Sequence, residues 1–304
     1  MTLANYVNTF GQDLLKRYGE RVHKLAINAG FTCPNRDGTK GRGGCTFCNN
    51  VSFSPNAQQP SSITTQLALG RQVLAKRTGA KRFIAYFQAY TNTYADIAHL
   101  MNLYEEALAQ TDVIGLSVGT RPDCISSDVL KLLSSYQQQG YEIWIELGLQ
   151  STFDTTLTAI QRGHTFADYQ QAVRIIQSYN IPICTHLIIG LPNETRYHAL
   201  ENLQRVIALG VQGLKLHPLH IVKHTILAKQ WRAGSYNPLD FNDYINIAAD
   251  VIERTPSNIV YHRVTATAAM DVLLTPLWCH KKWLVLNAIE QKLQQRGTQQ
   301  GAIL

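Results

Sequence analysis

A glycine-rich loop near the amino terminus carries three cysteines that could hold an inorganic cluster. Cys33, Cys45 and Cys48 follow the spacing C-x11-C-x2-C, and the loop contains no further cysteine and no histidine. A structural zinc site takes four ligands, commonly in two close pairs. Three thiolates instead leave one iron of a [4Fe–4S] cluster open to another ligand, because full ligation takes four. The spacing therefore favours a cluster, with a zinc site and plain thiols as the alternatives.

Short apolar runs alternate with longer polar segments of helical character along most of the chain. The runs are rich in branched aliphatic and aromatic residues, which is typical of buried strands. The predicted strands are 24–29, 82–87, 113–118, 142–149, 182–189, 213–217 and 258–262. The predicted helices are 61–77, 94–111, 127–140, 152–160, 165–179, 195–209 and 241–254. This alternation predicts a mainly parallel sheet covered on both faces.

Many of the unusual polar and glycine residues come directly after a predicted strand. These segments are 28–48, 88–93, 119–123, 148–151, 190–194 and 217–224. Six or seven βα units could close a barrel or leave it partly open, and in either case the carboxyl ends of the strands share one rim. We therefore expect an active-site mouth at that rim.

Composition and charge limit the class of protein. The chain has 304 residues, 45% hydrophobic and 16% charged, which is a globular composition. The sequence has no uninterrupted apolar run near the roughly 18 residues that a membrane span needs, and residues 1–21 lack the apolar run of a signal peptide. These features predict a soluble, cytoplasmic protein with no membrane partner. The net charge of +7 fits a polyanionic partner such as nucleic acid.

Together these features resemble the radical S-adenosylmethionine (radical SAM) superfamily. The cysteines follow the first strand, and an aromatic residue, Phe47, precedes the last of them. The first gap is longer than the usual C-x3-C-x2-C and is similar to that of the subgroup related to the Elongator catalytic subunit. Further matching motifs are Gly-Thr-Arg-Pro-Asp at 119–123, Glu-Leu-Gly-Leu-Gln-Ser at 146–151, Arg-Gly-His-Thr at 162–165 and Gly-Leu-Pro at 190–192.

The resemblance implies a fold and two cofactors. The fold is α/β, a radical SAM partial (β/α)6 TIM-like barrel over residues 18–262, with a C-terminal extension over 263–304 that packs on the barrel. The cofactors are a [4Fe–4S] cluster and S-adenosylmethionine. Cys33, Cys45 and Cys48 would ligate three irons, S-adenosylmethionine would chelate the fourth, and its reductive cleavage would give a 5′-deoxyadenosyl radical. Phe47 is counted among the cofactor-binding residues.

The resemblance also assigns cofactor contacts to residues after several strands. Gln150 matches a contact to the methionine end, and Arg162 matches the arginine that pairs with the cofactor carboxylate, a role suited to a guanidinium. His186 stands where relatives often have an aspartate on the ribose. Ile188 lies where the adenine packs, and Gln88 opens the stretch that replaces a Gly-Gly-Glu motif at the cofactor's amino group.

These residues also have simpler structural interpretations. Gln150 could cap a helix, and Arg162 could be a solvated charge at a helix end. Glu146 lies in an apolar strand, where an unpaired carboxylate is costly, so it could pair with a nearby Lys or Arg or touch cofactor or substrate. Arg121 and Asp123 could pair with each other or contact substrate.

Other chemically active side chains are harder to assign. His217, His220 and His224 could form a metal site, contact substrate or be ordinary histidines. The remaining cysteines, Cys124, Cys184 and Cys279, lie too far apart in sequence for a second cluster. All three are expected to be buried, with a role as hydrogen-atom donor as the alternative for Cys124 and Cys279. Two basic groups could hold a phosphate backbone beside a stacking aromatic or be scattered surface charges. They are Lys76, Arg77, Lys81 and Arg82, and Lys281 and Lys282 beside Trp283.

The resemblance and the basic charge together predict a radical SAM enzyme that acts on tRNA, in the side-chain modification of a wobble uridine. The expected redox partner is a low-potential electron donor such as flavodoxin or ferredoxin. The alternatives are radical chemistry on a small molecule or peptide, a non-catalytic iron–sulfur protein that binds RNA or transfers electrons, and a structural zinc protein. No catalytic side chain is identified, because the reacting group would belong to the cofactor.

Overall fold

Seven parallel strands form one curled sheet, a half-barrel, in a computed structural model that describes residues 2–49 and 61–303. In chain order these strands are β1 (Val22–Ile27), β2 (Arg82–Phe87), β3 (Val113–Thr120), β4 (Glu142–Gln150), β5 (Ile183–Ile189), β6 (Gly213–Pro218) and, after a short β7 (Ile221–Val222), β8 (Val260–Arg263). They pair side by side in the order β1-β2-β3-β4-β5-β6-β8. A separate two-stranded sheet pairs β7 with β9 (Leu273–Thr275).

Helices cover the outer face of the sheet. They are α1 (Phe10–Tyr18), α2 (Ile63–Thr78), α3 (Ile97–Leu108), α4 (Ser127–Gln138), α5 (Asp154–Ala159), α6 (Phe166–Gln177), α7 (Arg196–Ile207), α8 (Ile226–Arg232), α9 (Phe241–Glu253) and α10 (Lys282–Arg296). A large apolar core lies between these helices and the sheet. Within residues 2–49 and 61–303, none of the helices combines the length and the apolar character needed to cross a membrane.

The predicted α/β partial barrel is confirmed, and each of the seven predicted strands is present. The seven predicted helices are also present, and their ends differ by a few residues because helix termini fray and depend on caps. The sequence prediction missed α1, α8 and α10. Each of these buries only a narrow stripe, such as Val285, Ile289 and Leu293 on α10, so its stability comes from packing on its neighbours.

Helix α1 closes the amino-terminal end of the half-barrel. It contacts both β1 and β8, the two outer strands of the sheet. Phe10 packs edge-on against Trp144 at 5.5 Å and against the His262 ring at 4.0 Å, in an apolar cluster made from the first residues of several strands. Arg17 holds Glu142 at the start of β4 with two hydrogen bonds of 2.7 Å. The barrel therefore opens at the carboxyl ends of its strands.

The C-terminal segment packs on the barrel in two places. β9 pairs with β7 beside the mouth, and α10 packs on α9. Trp278 lies against Tyr244 of α9 with ring centroids 5.2 Å apart. The predicted boundary between residues 262 and 263 falls inside β8, and the division into two domains stays a prediction.

Candidate active site

The carboxyl ends of the strands surround a cavity of about 200 Å³. The nine residues that the sequence assigned to the cluster or the cofactor all line it. They are Cys33, Cys45, Phe47, Cys48, Gln88, Gln150, Arg162, His186 and Ile188. The structure therefore brings together segments that lie more than a hundred residues apart in sequence.

The cysteine loop is fixed against the turn that follows α5. Asn35 donates from its side-chain amide to the carbonyls of Gln161 and Arg162, both at 2.8 Å, and the same nitrogen lies 3.6 Å from Cys45 Sγ. Arg162 Nη1 lies 3.5 Å from the same sulfur. Gly163 has φ +72°, and a Cβ there would stand 2.4 Å from Asn35 Oδ1. Two donors thus face one sulfur, as is usual around metal-bound thiolates.

The three thiols are not grouped as the ligands of a single metal ion would be. Among the residues that the structure describes, the three cysteines do not form a set whose ligand atoms all lie within 4.8 Å of one another, as ligands of one ion would. Burial raises the pKa of Cys48 to about 11, the Cys45 thiolate adds to that rise, and Arg36 opposes it. A bound metal would hold such thiols deprotonated. The donor set therefore suits an iron–sulfur cluster better than a single zinc ion.

The end of β4 directs Gln150 and Arg162 to the cavity beside the cysteines. The pairing of β4 with β5 shifts register between Gly148 and Gln150, and Gln150 has φ +82°, a strained value for a residue with a side chain. Arg162 donates from Nε at 3.2 Å and from Nη2 at 2.5 Å to the Gly148 carbonyl. A Cβ on Gly148 would lie 2.8 Å from Arg162 Nη2 and 3.0 Å from Gln150 Nε2.

The geometry excludes Gln150 as a helix cap and Arg162 as a solvated charge, and it shows the expected Arg121–Asp123 pair. Phe153, not Gln150, is the N-cap of α5, and Arg162 is buried rather than solvated. Arg121 pairs with Asp123 through two hydrogen bonds of 2.9 Å, and its Nη1 donates to the Arg162 carbonyl at 2.9 Å. The expected Arg121–Asp123 pair is therefore present and supports the Arg162 turn, while Arg121 also lines the cavity, and a substrate contact stays a prediction.

Glu146 is the centre of a buried charge network inside the barrel. One carboxylate oxygen accepts from Lys24 Nζ at 2.5 Å and from Ser117 Oγ at 2.6 Å. The other accepts from His186 Nε2 at 2.6 Å and from Lys215 Nζ at 2.8 Å. Glu146 has no exposed surface, and the ion pair that was one of its two interpretations is present, with two lysines as partners.

The charge state of this network follows from its contacts. Burial acts to raise the pKa of Glu146, but Lys215 and Lys24, with hydrogen bonds from two histidines, hold it well below its usual range. Burial lowers the pKa of His186 to about 4, so at neutral pH its ring is uncharged. Glu146 is therefore an ionised carboxylate shared by two lysines. His186, predicted to contact the ribose, lines the cavity while its Nε2 donates to Glu146.

The predicted histidine site is only partly assembled. His217 and His220 line the cavity, whereas His224 is exposed on the turn before α8. In the described ranges the three do not form a set of metal-ligand distance. Cys184 and Cys279 are fully buried as predicted, while Cys124 is only partly buried.

Sequence reasoning missed several polar residues that line the cavity, among them Tyr86, Lys215 and Arg263. Lys215 lies in an apolar strand, the same signal that identified Glu146, and this signal could have found it. Arg263 could not be found this way because it faces the cavity only through a register shift between β6 and β8.

Comparison with known proteins agrees with this site. The profile of the Radical SAM superfamily matches residues 30–206, and that of the Radical_SAM C-terminal domain matches residues 211–295. Protein YhcC of Escherichia coli K12 is 48% identical and aligns over 100% of this chain and 97% of its own length. Uncharacterized protein YtqA of Bacillus subtilis is 37% identical over 97% of this chain and 91% of its own.

The chain is also similar, at lower identity, to a tRNA-modifying enzyme and to an Elongator protein. The tRNA uridine(34) acetyltransferase of Dehalococcoides mccartyi is 28% identical over 51% of this chain and 34% of its own length. Among solved structures, an archaeal Elp3 from Methanocaldococcus infernus matches with a TM-score of 0.68 at 16% identity, over 92% of this chain and 64% of that one. At this identity the structural match concerns the fold alone.

Proposed function

The chain belongs to the radical SAM superfamily, and from this premise we propose that it modifies the side chain of a wobble uridine in tRNA. The observation that carries the proposal is the single cavity in which the three cysteines, Gln150 and Arg162 meet the buried charges of the barrel. The partial similarity to a tRNA uridine(34) acetyltransferase supports RNA as the substrate class. We place the reaction in the cytoplasm, with flavodoxin or ferredoxin as the electron donor.

The residues of this cavity fit the two cofactors of the family, a [4Fe–4S] cluster and S-adenosylmethionine. When bound, they supply a carbon-centred radical that removes hydrogen from an unactivated C–H bond. Cys33, Cys45 and Cys48 would hold the cluster. Arg162 stands beside Cys45 Sγ, where its guanidinium would bind the carboxylate of S-adenosylmethionine next to the cluster. Gln150 presents its amide to the same place.

Apolar side chains separate this part of the cavity from water. Ile188 and Leu219 are buried in one apolar cluster with Leu191, and Phe47 packs on that cluster beside the cysteines. A reactive radical must be kept from solvent and from side reactions. These residues provide the dry wall, while Gln150 and Arg162 provide orientation.

A basic surface supports nucleic acid as the partner. Burial lowers the pKa of Lys282, and the positive charges of Arg263 and Arg77 lower it further, so charges from both predicted basic groups act at Lys282. Trp283 is 67% exposed, and Lys282 Nζ lies 5.6 Å from its ring centroid. Arg263, whose charge acts on Lys282, also lines the cavity.

The first experiment separates chemistry from binding. The protein is reconstituted anaerobically with iron and sulfide, reduced with S-adenosylmethionine present and assayed for 5′-deoxyadenosine, with Cys45→Ala as control. We expect production that disappears in the variant. Nucleosides of tRNA from cells with and without the protein are then compared by mass spectrometry, and a changed wobble uridine is the expected result.

Other outcomes would select the alternatives. Cleavage of S-adenosylmethionine with unchanged tRNA would favour a small molecule or peptide as the substrate. No cleavage by a protein with a full four-iron cluster would favour a non-catalytic iron–sulfur protein. Zinc without iron or sulfide after anaerobic preparation would contradict the proposal altogether.

A second experiment tests the basic surface. Lys282→Gln and Arg77→Gln are each expected to weaken tRNA binding and to reduce the slope of log affinity against log salt by about one. Arg174→Gln, an exposed arginine on α6, is the matched control. Equal salt slopes for all four proteins would exclude this surface from the RNA contact.

A further inference from the structure

One wall of the cavity carries more positive charge than its acidic partners balance. Lys215 on β6 and Arg263 on β8 stand opposite each other as Cα partners and both line the cavity. Lys215 is 3% exposed, and its ammonium donates to Glu146 at 2.8 Å and to the Tyr86 hydroxyl at 2.8 Å. This part of the wall lies on β6 and β8, away from the Arg162 turn that faces Cys45.

Arg263 has no acidic partner. In residues 2–49 and 61–303, no carboxylate lies within 4.0 Å of its guanidinium, and no acceptor lies within hydrogen-bond distance of it. The pairing of β6 with β8 shifts register between Leu214 and Lys215, so that Lys215 pairs with Arg263 and not with His262. A shift of this kind re-aims side chains, and here His262 reaches Lys24 while the next residue, Arg263, lines the cavity.

The charges inside the barrel do not balance. Lys24 and Lys215 both pair with Glu146, and Arg263 lines the same cavity, so three cations stand against one carboxylate. The histidines do not change this count, because burial lowers the pKa of His262 to about 3 and holds that of His217 well below its usual range. Arg263, which lines the same cavity, adds to the lowering at His217. Lys215 is buried and Arg263 is half-buried opposite it, and withdrawing cations from water without a counter-charge is costly, so an anion at this place would be stabilised.

A second unsatisfied group lies in the same wall. His217 Nε2 is buried and has no hydrogen-bond partner among the described residues. His217 follows Lys215 by two positions on β6, so both side chains are on the inner face of the strand. Buried polar atoms of native proteins are nearly all paired, so an unpaired one facing a cavity indicates a missing ligand.

We propose that Arg263 and Lys215, with His217 beside them, form an anion-binding subsite that takes a carboxylate or phosphate group of the substrate. This inference rests on the proposed function, because it concerns the substrate of that reaction. It extends the proposal in chemical terms: the nucleoside that enters the cavity carries a negative group, either on the side chain of its base or as its own phosphate. A guanidinium and an ammonium at one place suit either anion.

The test uses two hairpin RNAs that imitate an anticodon stem-loop. They differ only at the wobble uridine, whose side chain ends in a carboxylate in one and in the neutral amide in the other. Affinity is measured by fluorescence anisotropy on the cluster-loaded protein with S-adenosylmethionine and no reductant. We expect wild type to prefer the carboxylate by about tenfold, and Arg263→Gln to lose that preference. Arg174→Gln should keep it.

The two sources of the anion give different results. Equal weakening of both RNAs by Arg263→Gln would assign the subsite to a backbone phosphate. Unchanged affinity for both RNAs would overturn the proposal. Weaker binding of S-adenosylmethionine in Arg263→Gln would also overturn it, because the residue would then serve the cofactor. Arg263 has no bond to lose, so we expect the variant to fold.

A measurement without RNA separates this inference from the proposed function. Line broadening of 13C-acetate and of 31P-phosphate is recorded with wild type, Arg263→Gln and Arg174→Gln. Line broadening that Arg263→Gln reduces and Arg174→Gln does not would support the anion subsite. If wild type shows this broadening but binds neither hairpin, the subsite stands and the proposal of an RNA substrate is wrong. Broadening that is the same in the three proteins contradicts the subsite.

Discussion

The two ends of the cavity hold their chemical groups by different means. At the cysteine end, loop residues such as Asn35 and Arg162 donate to backbone carbonyls and to one sulfur. In the interior, Glu146 meets two lysines that come from opposite parts of the sheet. The first arrangement depends on the cluster for its function, and the second depends on the fold, which brings Lys24 and Lys215 to the buried Glu146. Damage at the first end should therefore affect chemistry, and damage at the second should affect stability.

The largest effect is expected at the cysteine end. Cys45→Ser removes one of three cluster ligands, so iron, sulfide and the visible absorption of the cluster should be lost and 5′-deoxyadenosine formation should fall to background. The free energy of unfolding of the cluster-free protein should change little, since Cys45 accepts only long contacts from Asn35 and Arg162. A variant that keeps its cluster would contradict the assignment of the ligands.

The interior should respond in the opposite way. Glu146→Gln leaves Lys24 and Lys215 buried without their counter-charge, and we expect the free energy of unfolding to fall by about 3 kcal/mol or more. Chemical denaturation of the cluster-free protein measures it. Glu201→Gln removes the same charge from a partly exposed pair with Arg205 and should cost less than about 1 kcal/mol. Similar losses in the two variants would show that the network adds little to stability.

Acid should reveal the buried histidines. His186 has a native pKa of about 4 against 6.5 in the unfolded chain, so below pH 6.5 the unfolded state takes up a proton that the native state refuses. Stability should fall as the pH is lowered from 6.5 towards 4, by about 1.4 kcal/mol per pH unit for this group. His186→Gln should remove that part of the slope, measured by denaturation at several pH values. His280→Gln, exposed before α10, should keep the wild-type slope.

A smaller effect is expected where the two ends meet. Gly148→Ala places a methyl group 2.8 Å from Arg162 Nη2 and 3.0 Å from Gln150 Nε2, so both side chains must shift. Binding of S-adenosylmethionine, measured by equilibrium dialysis, should weaken about tenfold, while cluster content stays at the wild-type level. The control is Gly11→Ala on α1, where a Cβ meets no atom within 4 Å. Full cofactor affinity in Gly148→Ala would remove Arg162 and Gln150 from the cofactor site.

The same comparison explains what the sequence could and could not predict. The cysteine end was readable because Cys33, Cys45 and Cys48 lie in one loop and their spacing carries the chemistry. The strands were readable because parallel strands buried on both faces are continuous apolar runs. The nine residues assigned to the cluster or the cofactor lie together because the carboxyl ends of parallel strands share one edge of the sheet.

The interior was not readable in this way. Lys24 and Glu146 are 122 positions apart, and Lys24 and His262 are 238 apart, so their contact depends on strand order and register. A sequence shows that a charge in an apolar strand needs a partner, but not which partner. The position of Arg263 at the cavity depends in addition on a register shift between β6 and β8, which no local sequence pattern predicts.

Helix α1 affects the side from which molecules can reach the cavity. It fills the amino end of the half-barrel with Phe10, which packs between Trp144 and His262. The cavity is lined by residues at the carboxyl ends of the strands, so we expect cofactor and substrate to approach it from that side. If both use the same side of the half-barrel, the order in which they bind matters, and a product that leaves slowly delays the next turnover.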